Sequence, residues 1–104
     1  MNHNALSQIK ISQLRSLVAV AECGNFGEAA LSLGISQSAV SHAIASLEEA
    51  LGVVLFSRGR RGAQLTPVGE QIVLYARQSL QSLEEMTKAA SLARGLAGGT
   101  VRIA

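Results

Sequence analysis

Residues 26–45, FGEAALSLGISQSAVSHAIA, predict two short helices joined by a tight turn. In the first half, apolar residues recur at the i, i+3, i+4, i+7 spacing of one buried helix stripe. Gly34 follows this stripe and can take the left-handed conformation in which helices commonly end. Ser36 can then cap a second helix that begins at Gln37. The stripe consists of Phe26, Ala29, Ala30 and Leu33. A helix, a glycine-containing turn and a second helix form the helix-turn-helix pattern.

The second of these helices, predicted over residues 37–51, has one apolar half and one polar half when its residues are placed at ~100° intervals. No Asp, Glu, Lys or Arg lies between Glu28 and Glu48, whereas an ordinary solvated helix face carries charges. Short hydrogen-bonding side chains suit the DNA major groove, where Gln can pair with a base edge and Ser with a base or phosphate. The alternative is a helical pair packed for stability only, since such pairs also occur in proteins that never bind DNA. The predicted core half is Ala39, Val40, Ala43, Ile44, Leu47 and Leu51, and the outer half is Gln37, Ser38, Ser41, His42, Ala45 and Ser46.

The residues before this pair predict one further helix. Residues 1–10 are expected to form a loose or partly helical arm. Ser12 can cap a helix over residues 12–23, which Gly24 ends. Asn25 can cap the next helix, over residues 26–33, and Glu28 three residues later completes the sequence pattern of a capping box.

A small hairpin is predicted after Gly52. Residues 53–56 are apolar and rich in β-branched side chains, which favours a strand. Residues 59–62 are expected to form a turn, and residues 63–66 a returning strand. Arginines in such a wing can reach a narrow minor groove or phosphates and supply the attraction that the neutral helix lacks. The alternative is that these arginines only increase solubility. The three residues are Arg58, Arg60 and Arg61.

A long helix is predicted after the hairpin, because Thr66 can cap it and Pro67 suits its first turn. Apart from Gly69 in that turn, no helix breaker occurs until Gly95. Its apolar stripe steps alternately by four and three residues, which suits a helix partner. We therefore expect dimerisation through this helix, antiparallel or crossed, and the alternative is that it folds back on its own domain. The predicted interface residues are Ile72, Ala76, Leu80, Leu83, Met86 and Ala90.

The composition limits the classes of protein that this chain can represent. Its 104 residues suggest one domain, and a net charge of +2 with a pI near 9.2 permits a nucleic-acid partner without requiring one. The single cysteine, Cys23, excludes an internal disulfide and is expected to be a small buried hydrophobe. The sequence has no apolar run long enough for a membrane span and no signal-peptide pattern, so we expect a cytoplasmic protein without a membrane partner.

The sequence does not support catalysis. Asp is absent, and neither His3 nor His42 has a carboxylate at a defensible spacing. The two histidines and Cys23 lack the spacing of a zinc site. Ser41 beside His42 does not make a catalytic arrangement. We predict that the chain is no enzyme and holds no metal or cofactor.

Together these residues resemble the N-terminal domain of the LysR-type transcriptional regulators, over about residues 10–104. The resemblance implies a mainly α winged helix-turn-helix, of three helices and a two-stranded wing, in residues 1–66. It implies a linker and dimerisation helix in residues 67–96, and in residues 97–104 a hinge and the start of a C-terminal effector-binding domain. The motifs that carry the resemblance are Leu14 with Phe26, Ala29-Ala30 and Leu33, then Ser36-Gln37-Ser38-Ala39-Val40-Ser41, Leu47-Glu48, Leu51-Gly52, Leu55-Phe56, Arg58, and Leu65-Thr66 with Gly69.

The resemblance also implies partners. These are double-stranded DNA carrying an interrupted inverted repeat at a bacterial promoter, and a second copy of the chain. Tetramers at full length, contact with RNA polymerase and a location at the nucleoid are compatible with it. A small-molecule co-inducer would bind the C-terminal domain. By position, the candidate DNA contacts are Asn25, Ser36, Gln37, Ser38, Ser41, His42, Arg58, Arg60 and Arg61.

Four positions depart from the commonest family pattern. Ser38 stands where proline is frequent, and His42 where arginine is frequent. Gly27 stands where Thr or Ser often helps to hold a phosphate, and Arg60 adds a charge to the wing. These departures suggest that affinity for phosphate has moved from the recognition helix toward the wing.

Overall fold

The computed structural model describes residues 4–59 and 62–98, apart from the side chains of Asn4, Arg58 and residues 96–98. Within this part of the chain, five helices and one two-stranded antiparallel sheet follow one another. The mainly helical architecture with a wing and a long last helix is confirmed. The elements are α1 (Asn4–Gln8), α2 (Ile11–Cys23), α3 (Phe26–Leu33), α4 (Gln37–Leu51), β1 (Phe56–Gly59), β2 (Gly62–Leu65) and α5 (Pro67–Gly98).

Helices α2, α3 and α4 enclose an aliphatic core. The predicted stripe of α3 is confirmed, with Phe26, Ala29 and Ala30 buried and Leu33 packed against the core. Gly34 ends α3 with a φ of 70°, and its N–H donates to the carbonyls of Ala30 and Leu31. This left-handed residue reverses the chain direction between the two helices of the predicted pair. The fully buried side chains that fill the core are Leu17, Val20, Val40, Ile44, Leu47 and Leu55.

The start of α2 differs from the prediction. Lys10, and not Ser12, is the N-cap residue, and Ser12 lies within the first turn. The backbone N–H of Lys10 donates to Gln13 Oε1 over 2.8 Å, so the glutamine side chain closes this helix end from inside. Gln13 and Ser16 are both buried, although both side chains are polar. Cys23 was predicted to be buried and is exposed, because it is the last residue of α2 and nothing packs over it.

The first strand of the hairpin lies three residues later than predicted, and the returning strand begins one residue earlier. The first strand was expected over residues 53–56, but β1 begins at Phe56 and continues to Gly59. It pairs with β2 from Phe56 opposite Leu65 to Gly59 opposite Gly62. The shift arises because the backbone N–H groups of Leu55 and Phe56, the last two residues of the apolar run, donate to Glu48 of α4. Arg60 and Arg61 lie outside the described residues.

Helix α5 begins as predicted and ends later. Thr66 Oγ1 accepts from the N–H of Gly69 over 3.0 Å and donates to the carbonyl of Val54 over 2.7 Å. The helix passes through Gly95, since a single glycine weakens a helix by only ~1 kcal/mol. It continues to Gly98, whereas the linker and dimerisation helix was expected to end at residue 96. Residues 99–104, which hold most of the predicted hinge and start of a further domain, lie outside the described residues.

The first turns of α5 belong to the core of the same chain. Ala76 is 2% exposed, Val73 is buried, and Ile72 packs against the same cluster. A salt bridge of 2.6 Å between Arg77 Nη1 and Glu22 Oε2 adds a partly exposed link to α2. Two of the predicted interface residues, Ile72 and Ala76, are therefore covered by their own domain. The fold-back alternative expected this for the whole helix. In the described part of the chain, no helix is both long and apolar enough to cross a membrane.

Candidate nucleic-acid interface

Helix α4 presents the predicted neutral face to solvent. Gln37, Ser38 and His42 are exposed, and Ser41 is half-buried. On the opposite side, Val40, Ile44 and Leu47 are buried. Ala39 was assigned to the core half and is exposed, because it lies in the first turn, where the helix projects from the domain. The face that can reach a groove therefore begins at the N-terminal end of α4.

The N-terminus of α4 is fixed by Ser36. Its Oγ accepts from the N–H of Ala39 over 3.0 Å and lies 3.2 Å from Ser38 Oγ. The cap satisfies one of the unpaired donors of the first turn, and the positive end of the helix dipole lies beside it. Gln37 and Ser38 are thus held on a well-ordered helix end that attracts anions.

The N-termini of α3 and α4 lie side by side on this surface. A Cβ placed on Gly27 would lie 3.5 Å from both Asn25 Oδ1 and Gln37 Oε1. Asn25 Oδ1 is occupied as the α3 cap, since it accepts from the N–H of Glu28 over 2.7 Å. That bond is the predicted N-cap half of the capping box. The structure therefore brings Asn25 and Gln37 together around Gly27, with room for a small side chain at position 27.

The base of the wing adjoins the same surface. The N–H of Ala63 donates to the carbonyl of Gly24 over 3.1 Å. Gly62 has a φ of +92°, and a Cβ there would lie 2.7 Å from the Gly24 oxygen, so this close approach requires glycine. The Phe56 ring packs edge-on against Phe26 with centroids 5.9 Å apart. Strand β1 carries Arg58 and leads toward Arg60 and Arg61, whose positions relative to DNA stay predictions.

Sequence reasoning missed the role of Glu48. Its Oε2 accepts from the N–H groups of Leu55 and Phe56, over 2.8 and 3.4 Å. The available signal was its place one turn after Ile44, at the border of the apolar half of α4. Glu49 lies 100° further around the helix and is exposed.

The outer part of α5 carries the other candidate surface. Leu80 and Leu83 are half-buried, whereas Met86 is 60% exposed and Ala90 is exposed. Next to Ile11 and Arg15 of α2, these turns form a groove lined also by Glu84 and Thr87. The apolar stripe thus continues past the domain without cover from the described chain.

A helix-turn-helix with a charge-free outer face, followed by a two-stranded wing, defines a winged-helix DNA-binding domain. Residues 11–70 match the family described as "Bacterial regulatory helix-turn-helix protein, lysR family". The chain belongs to this family, whose members are transcriptional regulators and not enzymes. The resemblance seen in the sequence is thereby confirmed.

Relatives and solved structures agree with this assignment. The "Probable HTH-type transcriptional regulator LrrA" of Synechococcus elongatus is 53% identical over 96 residues, which cover 92% of this chain and 33% of the relative. The chain spans about a third of the length of the curated relatives it matches. The CbnR DNA-binding domain in complex with DNA superposes with a TM-score of 0.77 at 36% identity, over 81% of this chain and 97% of that one. The BenM DNA-binding domain with catB site 1 DNA gives 0.76 at 36% identity, over 86% and 97%.

Proposed function

We propose that this chain reads a promoter sequence as a homodimer, with α4 in the major groove of each half of an interrupted inverted repeat. The observation that carries the proposal is the exposed, charge-free face of α4 that begins at Gln37. Solved relatives bound to DNA support it. A small-molecule co-inducer, tetramer formation and contact with RNA polymerase belong to the proposal for the longer protein.

The candidate DNA-binding residues divide into two groups, those at α4 and the start of α3 and those in the wing. Gln37 and Ser38 contact base edges, while Ser36, Ser41, His42 and Asn25 contact the backbone or bases. Because α4 lacks a cation on this face, most phosphate affinity comes from the wing arginines. In this arrangement the wing, at the minor groove or on phosphates, supplies the electrostatic attraction to DNA, and the neutral recognition helix reads the sequence. The wing residues are Arg58, Arg60 and Arg61.

The proposal is tested by selection followed by titration. Sites are enriched from random duplexes with the folded chain, and fluorescence anisotropy compares the enriched site with a scrambled duplex across a salt series. We expect preference for an inverted repeat and a linear fall of log affinity with log salt. Failure to bind any duplex at low salt, with native circular dichroism, would favour a second candidate, a dimerisation module whose α4 face is idle.

Replacing Gln37 with alanine is expected to reduce discrimination between sites. A bidentate contact to a base contributes ~1–3 kcal/mol of discrimination, so the enriched site should lose most of its advantage over single-base variants at one position. Gln78→Ala, on the exposed surface of α5, is the matched control. An unchanged ranking of DNA sites in the Gln37→Ala variant would show that Gln37 does not read bases.

The proposed dimer uses α5 beyond its buried start. In an antiparallel pair with the two-fold axis between Met86 and Thr87, Leu83 of one copy lies beside Ala90 of the other, a large residue against a small one. The half-buried Leu80 and Leu83 and the exposed Met86 continue the apolar stripe of α5 beyond the domain, which supports this pairing.

Replacing Leu83 with glutamate is expected to convert the dimer to a monomer, because two carboxylates would be buried near the axis. Leu92→Glu is the control, since Leu92 is exposed on the same helix and lies ~180° around it at ~100° per residue. Sedimentation velocity measures both, and circular dichroism verifies folding. A Leu83→Glu variant that stays dimeric would refute this interface.

A further inference from the structure

Glu48 joins α4 to the wing. Its Oε2 accepts from the backbone N–H of Leu55 over 2.8 Å and of Phe56 over 3.4 Å. Glu48 lies in the last turns of α4 and is half-buried, whereas Leu55 and Phe56 are buried. Phe56 is the first residue of β1. The backbone at the base of the wing is therefore bound to a side chain of the helix that carries the candidate reading face.

The other contacts at the base of the wing lead to different elements. The N–H of Thr66 donates to the carbonyl of Leu55 over 2.9 Å, which closes the hairpin itself. Ala63 is bonded to Gly24 before α3, and the Phe56 ring lies on Phe26 of α3. Among the described residues, the Glu48 carboxylate thus supplies a direct polar link from α4 to β1 itself. The backbone bond of 3.3 Å from the N–H of Val53 to the carbonyl of Glu48 reaches the segment before the strand.

We propose that Glu48 is a positioning residue for the wing: its carboxylate sets where β1 lies relative to α4, and thereby where the arginines meet DNA. This inference rests on the proposed DNA-binding function. Arg58 follows Phe56 by two residues, so a displacement at the base of the strand moves the charged part of the wing as well.

The chemistry favours a rigid link. Hydrogen bonds from N–H groups to a carboxylate are shorter and stronger than those between neutral groups. Without the carboxylate, two N–H groups in a buried segment lose their acceptor, so the segment must move to reach water. The wing then keeps its strand pairing but loses its fixed position beside α4.

The test is a double-mutant cycle between Glu48 and the wing. Glu48→Ala is made in the natural chain and in a wing-neutral variant, which carries Arg58→Ala, Arg60→Ala and Arg61→Ala. Glu49→Ala, which removes the same charge from the next residue, is the control. Anisotropy with the enriched DNA site gives affinity and salt slope at a temperature where circular dichroism shows every variant folded.

We expect Glu48→Ala to weaken binding about tenfold in the natural chain and to lower its salt slope, with no further loss in the wing-neutral variant. This direction is diagnostic, because deleting a negative charge near DNA by itself strengthens binding, as expected for Glu49→Ala. Glu48→Gln keeps one carbonyl acceptor and should restore most of the slope.

Two results would overturn the inference. Equal losses in both backgrounds would mean that Glu48 acts on the fold as a whole, and an unchanged slope in Glu48→Ala would mean that the wing does not depend on it. If Glu48→Ala does not fold, the comparison of Glu48→Gln in the two backgrounds decides in the same way. Absence of DNA binding by the natural chain would instead refute the proposed function.

Discussion

Replacing Gly69 with alanine is expected to destabilise the domain more than any other single methyl addition proposed for this chain. A Cβ at position 69 would lie only 2.3 Å from the carbonyl oxygen of Leu55 and 3.1 Å from Leu65 Cδ2. The Leu55 oxygen cannot move freely, because it accepts from the N–H and the Oγ1 of Thr66, over 2.9 and 3.3 Å. The first turn of α5 must therefore separate from the strand, at a cost of about 1–3 kcal/mol or more.

Gly95 provides a matched control on the same helix. A Cβ there meets nothing within 4 Å, so alanine should stabilise α5 by about 0.5–1 kcal/mol. Thermal unfolding followed by circular dichroism measures both variants. A change of 1 kcal/mol shifts the midpoint by roughly 4–8 °C in a domain of this size. Midpoints that move in the same direction for both variants would contradict the close approach at Gly69.

The helices could be predicted because their signals are local. A stripe of apolar residues, a capping side chain and a following glycine lie within one or two turns of each other, as in Phe26–Leu33. The exposed face of α4 followed from the same periodicity. The predictions that Ala39 and Cys23 are buried were wrong, because burial at a helix end depends on whether another element covers that end. The periodicity of one helix does not include this information.

The wing could be predicted in kind but not in register. Residues 53–55 have the composition of a strand, yet the Glu48 carboxylate accepts the backbone N–H groups of Leu55 and Phe56. That competition joins residues seven and eight positions apart through a fold that the sequence pattern does not contain. The split of α5 has the same origin, since Ala76 and Leu83 lie on one stripe but Ala76 is buried against its own domain and Leu83 is only half-buried.

The wing-neutral variant is expected to lose affinity for every duplex while keeping its ranking of sites. Each neutralised phosphate contact changes the slope of log affinity against log salt by ~0.9, so three lost contacts in each copy of the proposed dimer lower its magnitude by ~2.7 per half-site. At one tenth of the salt concentration at which the two chains bind equally well, this corresponds to a loss of about 500-fold in affinity for each half-site. The effect is large because the reading face of α4 has no Lys or Arg to compensate.

The same titration separates the wing from the recognition helix. Gln37→Ala should lower the preference for the enriched site and leave the slope nearly unchanged, whereas the wing-neutral variant should do the reverse. The control for net charge is a variant with Arg77→Ala, Lys88→Ala and Arg94→Ala, which removes three cations from α5 and should change the slope far less. Equal slopes for the two triple variants would show that the arginines contribute only general charge. Such a result would leave the phosphate contacts to the helix N-termini around Gly27, where Asn25 and Gln37 lie together.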